Sequence, residues 1–145
     1  MARKIKNGGG AKAVNNMDVL EKLGKIEKLI NQLNDGNFVL VVEGKRDLVA
    51  LRNLGLTTEI IAAVGRSEML VAKIVNTEKK PVILFDFDET GIERCKRLAE
   101  LLENEGVVPD VAVRNKFRGL LGIRFFEESD SKFDKLKTEI EEKRR

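Results

Sequence analysis

Two apolar runs in this chain end in acids. Phe38-Val39-Leu40-Val41-Val42 leads into Glu43-Gly44-Lys45-Arg46-Asp47, and Val82-Ile83-Leu84-Phe85 leads into Asp86-Phe87-Asp88-Glu89-Thr90-Gly91. Short apolar runs of this kind read as strands buried on both faces, so their carboxyl ends open on one edge of a parallel sheet, the edge where ligands bind. On neighbouring strands, about 4.8 Å apart, Glu43, Asp86 and Asp88 converge. Two unit charges about 4 Å apart at an effective dielectric near 20 repel by roughly 4 kcal/mol, which a proton or a cation must relieve. Hard oxygen ligands around an open position suit Mg2+, which keeps several waters and accepts phosphate oxygens.

Composition removes most other chemistry. The 145 residues include no His, no Tyr, no Trp and one Cys, so Ser-His-Asp and Cys-His catalysis, a Cys/His zinc site and an internal disulfide are all excluded within one chain. Catalysis must rest on carboxylates, Lys, Arg, hydroxyls and a bound ion. Cys95 shares a helical spacing with Ile92, Leu98, Ala99 and Leu102 and reads as a small buried apolar residue. With 24 acids against 27 bases the net charge is only +3, so distribution matters more than total. Arg3, Lys4, Lys6 and Lys12 form one basic segment and Arg114, Lys116, Arg118 and Arg124 another, each able to track a phosphate backbone or simply to be solvated. No run approaches a membrane span and Met1 to Lys6 lacks the apolar stretch of a secretion signal, so a soluble, cytoplasmic protein is expected.

The elements that must position the acids alternate between strand and helix. Residues 1–15, with Gly8-Gly9-Gly10, read as a flexible basic arm. From Met17 to Leu33, Val19, Leu23, Ile26, Ile30 and Leu33 recur at helical spacing, with Asn16 as N-cap and Gly36 as stop. Leu48, Leu51 and Leu54 mark a second helix closed by Gly55, and Glu59 to Val64 a second strand. Gly65-Arg66-Ser67 then opens a helix, a turn that can hold a phosphate or serve as ordinary punctuation. Pro81 begins the third strand, Thr90 to Asn104 form a helix closed by Gly106, and Pro109 to Val113 read as a fourth strand. Residues 114 to 126 show no clear period, and Ser129 can cap a last helix. Strands alternating with helices give one α/β domain. Bringing the acids together requires the first and third strands to be neighbours, hence a four-stranded parallel sheet of order 2-1-3-4 with helices on both faces.

A strand ending in Glu-Gly with an Asp three residues past the Gly, followed by a strand ending in Asp-x-Asp-x-x-Gly, resembles the Toprim domain of topoisomerases, bacterial-type primases, small nucleases and recombination-repair proteins. Glu43-Gly44 with Asp47 carries the first half, Asp86, Asp88 and Gly91 the second, and Gly65 falls at the family's glycine turn. The resemblance covers residues 38 to 113 within a single Toprim-like domain of residues 16–145. It implies a three-layer fold in which Asp86 and Asp88 hold Mg2+ (or Mn2+), with Glu43 moving a proton or adding a metal ligand during phosphodiester chemistry. Lys45, Arg46 and Arg66 would contact phosphate, and Arg114 and Lys116 would guide the strand. Without tyrosine or room for a zinc module, the chain is most similar to small free-standing Toprim proteins related to the maturase of 5S ribosomal RNA. That implies a nuclease acting in RNA processing, with RNA favoured over DNA.

Two rivals remain at this level. One is a non-catalytic module that keeps metal or nucleic-acid affinity inside a larger complex. The other is a phosphatase of the haloacid-dehalogenase type, whose first motif Asp86-Phe87-Asp88-Glu89-Thr90-Gly91 resembles. That type needs the motif on its first strand, and here two strands precede it. For Asp47 alone, capping a helix or orienting Lys45 explains the residue as well as metal does.

Overall fold

The computed structural model describes residues 18 to 143; the basic Gly-rich arm and Asn16 lie outside the described residues. In chain order the elements are α1 (Val19–Leu33), β1 (Phe38–Val42), α2 (Lys45–Leu54), β2 (Glu59–Ala62), α3 (Ser67–Asn76), β3 (Lys80–Ile83), α4 (Glu89–Asn104), α5 (Ala112–Leu121), a 3-10 turn (Phe126–Glu128) and α6 (Ser129–Lys143). The N-cap of α1 is Asp18 in place of the expected Asn16, its Oδ1 accepting from the Glu21 N–H at 2.8 Å. None of the helices among the described residues is long and apolar enough to cross a membrane.

The three strands form one parallel sheet in the order β2-β1-β3. β1 is central, and its side chains alternate between two cores as the pleat dictates. Leu40 and Val42 join Ile26, Leu29, Leu33, Leu51, Phe117, Phe126 and Phe133 beneath α1, α2, α5 and α6. Val39 and Val41 join Ile61, Val71, Ile74, Ile83, Cys95, Leu98 and Leu102 beneath α3 and α4. Covering both faces is what a parallel sheet requires. Each fully buried Leu or Ile contributes on the order of 1.5–3 kcal/mol.

Of the expected four-stranded order 2-1-3-4, the first three places form and the fourth strand does not. In place of the strand expected at Pro109 to Val113 there is a single parallel bridge, with the Asp110 N–H donating to the Pro81 carbonyl at 2.8 Å and the Ile83 N–H donating to the Asp110 carbonyl at 3.1 Å. The carboxylate of Asp110 then accepts the N–H groups of Ala112 and Val113, both at 2.9 Å, and turns the chain into α5. A side-chain acceptor that satisfies the first free helical donors outcompetes further strand pairing here. α5 buries Val113, Arg114, Phe117 and Leu121, so the segment without a visible period is largely helical.

Candidate functional site

β1 and β3 are direct neighbours, so no strand separates the two acidic segments. Glu43 stands one residue past β1, and Gly44 caps α2. The spacing from Gly44 to Asp47 has a local cause. Asp47 Oδ2 accepts the Gly44 N–H at 3.0 Å, which fixes the turn leaving the strand. Asp47 is buried, and burial, helped by the charges of Glu43 and Glu127, raises its pKa against the opposing hydrogen bond from Gly44.

The second segment is built around a glycine. Asp88 caps α4, its Oδ1 accepting the Gly91 N–H at 2.8 Å. A Cβ on residue 91 would drive into the Asp86 carbonyl and lie 2.8 Å from Asp88 Oδ1, so only glycine lets the helix start this close to the acidic turn. Across the sheet edge, Glu43 Oε2 accepts the Asp86 backbone N–H at 2.8 Å, and Glu43 Oε1 accepts from Arg94 Nη1 at 3.0 Å. Asp86 Oδ1 accepts the Phe126 N–H at 2.8 Å.

Asp86 carries the largest electrostatic anomaly of the edge. Burial pushes its carboxyl up to about 7; the Phe126 N–H opposes this, while the charges of Asp47 and Glu43 and a side-chain hydrogen bond with Glu43 reinforce it. The structure therefore brings Glu43 and Asp86 together, with Asp47 near both. Asp88 is engaged at its helix N-terminus, and among the described residues no three carboxylates converge tightly enough to cage a metal. Asp86 Oδ2 and Asp88 Oδ2 accept no hydrogen bond from a backbone N–H or a basic side chain among the described residues. Asp88 keeps one carboxylate oxygen open, and Asp86 meets the Glu43 carboxylate, an excess of negative charge that fits Mg2+, which takes one or two protein carboxylates and fills its shell with water.

The basic residues divide. Lys45 and Arg46 are exposed on the first turn of α2, where Arg46 reaches Glu127 at 3.8 Å. Arg66 is exposed after Gly65, whose φ of +85° makes the turn into α3, and Lys116 is exposed on α5. Arg114 is different and corrects its assignment to a nucleic-acid strand. It is only 9% exposed, donates from Nε to the Phe85 carbonyl at 2.7 Å and from Nη2 to the Asp86 carbonyl at 2.6 Å, and lies 4.3 Å over the Phe87 ring. Arg114 ties the acidic turn to α5.

Sequence reasoning missed Arg94 and the Phe126 N–H. Arg94 falls three residues after Gly91, the spacing that returns a helical side chain to its capped end, and this signal was available. Nothing in the sequence marks the Phe126 N–H as a partner of Asp86.

A Toprim-like family model matches residues 40–118. A UPF0292 protein of Pyrococcus furiosus is 44% identical over 82 residues, covering 57% of this chain and 63% of that protein, so the match spans less than two thirds of that relative's length. A UPF0292 protein of Thermococcus kodakarensis is 37% identical over 101 residues, covering 70% of this chain and 76% of the relative. Among solved structures, a protein from Aquifex aeolicus superposes with a TM-score of 0.62 at 30% identity, covering 70% of this chain and 95% of that one.

Proposed function

The chain belongs to the Toprim-like family, alongside the UPF0292 proteins it matches, and from that premise we propose that it hydrolyses phosphodiester bonds in nucleic acid with Mg2+. The observation that carries this is the meeting of Glu43 and Asp86 across the ends of the adjacent strands β1 and β3, where burial and the neighbouring acids push the Asp86 carboxyl up to about 7. Asp86 and Asp88 would hold the ion, and Mn2+ would substitute for it. When bound, the ion supplies neutralisation of the charge that develops on the phosphate oxygens.

The chain's own residues account for the rest. Glu43, oriented by Arg94 and by the Asp86 N–H, accepts the proton of the attacking water. Lys45, Arg46 and Arg66, exposed on the turns after β1 and β2, meet the phosphate backbone. Arg114 holds the Asp86 carbonyl and the Phe126 N–H holds its carboxylate. RNA stands before DNA as substrate on the resemblance in size and layout to the Toprim maturase of 5S ribosomal RNA, and the setting is RNA processing in the cytoplasm.

One observation favours a second reading. Glu43 is already ion-paired with Arg94 and no three-acid cage is closed among the described residues, an arrangement that also suits a nucleic-acid-binding module without cutting activity. Incubating labelled structured RNA, single strands and duplex DNA with the protein and Mg2+ or Mn2+ separates the two. Hydrolysis predicts cutting that Asp86→Asn abolishes while binding persists. Binding without cutting on every substrate selects the module.

A further inference from the structure

Away from the acidic turn, α1 and α5 enclose an open groove of about 540 Å3 lined by Lys25, Lys28, Gln32, Asn115 and Lys116 over Leu29 and Leu120. Its charge is one-sided. No acid lines it, although α1 also carries Glu21 and Glu27. Among the described residues none of the three lysines has a carboxylate within 4.0 Å.

The helical geometry explains the arrangement. α1 turns Ile26, Leu29, Ile30 and Leu33 into the core, which leaves Lys25, Lys28 and Gln32 along its outer edge. α5 buries Val113, Phe117 and Leu121, which sets Asn115, Lys116, Gly119 and Leu120 on the groove side. Gly119 has no side chain to close the opening between them. Burying the groove under another part of the chain would strand three ammonium groups, whereas an occupant with regularly spaced negative charges would satisfy them.

We propose that this groove is a second docking place for the nucleic-acid strand, with Lys25, Lys28 and Lys116 on its phosphates and Gln32 and Asn115 offering hydrogen bonds to sugar or base edges. It rests on the nucleic-acid reading of the acidic edge. The same helix serves both places: Arg114 on its first turn holds the Asp86 carbonyl, and Leu120 follows about 9 Å along the helix axis at 1.5 Å per residue. A single strand advances about 3.4 Å per nucleotide in helical form, so a few nucleotides bridge that length. The groove thereby presents a strand to the edge where the acids lie.

The test is fluorescence anisotropy with a fluorescein-labelled 20-nucleotide single-stranded RNA in EDTA, so that no metal or cutting is involved. Wild type is compared with Lys25→Glu/Lys28→Glu/Lys116→Glu and with Lys73→Glu/Lys96→Glu/Lys135→Glu, which changes net charge equally at exposed lysines elsewhere. Circular dichroism verifies that all three are folded. The groove variant is expected to bind at least tenfold more weakly, with the slope of log K against log salt reduced by about 2, at roughly 0.7 for each phosphate no longer neutralised. The control should stay within threefold of wild type. Equal weakening of both variants, or no RNA binding by wild type, overturns the groove assignment. Groove-dependent binding with no cutting in Mg2+ upholds it and overturns hydrolysis alone.

Discussion

Glu43 and Asp86, 43 residues apart in the chain, are joined across the ends of adjacent strands by a 2.8 Å hydrogen bond from the Asp86 N–H to Glu43 Oε2. The bond ties the acid of the first segment to the backbone of the second, so the carboxyl edge behaves as one unit. Glu43→Gln keeps a carbonyl acceptor for that N–H and removes one negative charge beside Asp86. Cutting of labelled RNA in Mg2+ is expected to fall by about 100-fold or more, the usual scale of a lost general base. The thermal midpoint in EDTA should change little, the relieved repulsion at Asp86 offsetting the lost ion pair with Arg94.

The raised Asp86 carboxyl gives a pH dependence of definite sign. Folded Asp86 holds its proton up to about 7, whereas an unfolded Asp releases it near 3.9. Between those values the folded state binds more protons, so stability is full below the unfolded pKa and is lost as pH rises through the folded one. In EDTA the thermal midpoint should fall from pH 4.5 to pH 8, and Asp86→Asn should flatten that decline. Mg2+ added at pH 8 should raise the wild-type midpoint and leave the variant unchanged.

Gly91→Ala tests the close approach of α4 to the acidic turn. The added methyl meets the Asp86 carbonyl, which is backbone and cannot swing aside. Overpacking of this kind costs about 1–3 kcal/mol. Urea unfolding should show that loss, and Mg2+ binding should weaken along with it because the displaced groups include Asp88 Oδ1.

Arg114 is expected to matter for stability and not for the salt dependence of binding. Replacing it with Ala frees two backbone carbonyls, where hydrogen bonds to a charged donor are worth about 1.5–3 kcal/mol each. Urea unfolding of Arg114→Ala should show a shift of that order. The salt slope for RNA should not move, in contrast to Lys116→Glu on the same helix.

The strands and the acids beyond them were legible because buried β-structure leaves an apolar run and a sharp polar stop, as in Val41-Val42-Glu43 and in Val82-Ile83, whose buried run continues past the strand through Leu84-Phe85 to Asp86. The local role of Asp47 was legible as one of two options, since carboxylates favour the first turn of a helix. α5 was not. Val111 and Val113 look like strand residues, and a helical face of Val113, Phe117 and Leu121 is hidden when Arg114 is taken for a surface residue. A guanidinium buried against carbonyls and an aromatic ring has the composition of a nucleic-acid contact and the position of a core residue. Sequence alone does not separate these.

The central claim is that Asp86 and Asp88 bind a divalent ion at the end of β3. Calorimetric titration of Mg2+ into metal-free protein at pH 8 tests it most directly, with wild type beside Asp86→Asn and Asp88→Asn. One saturable site in wild type that disappears in both variants is the predicted result. Identical heats in all three proteins would contradict it.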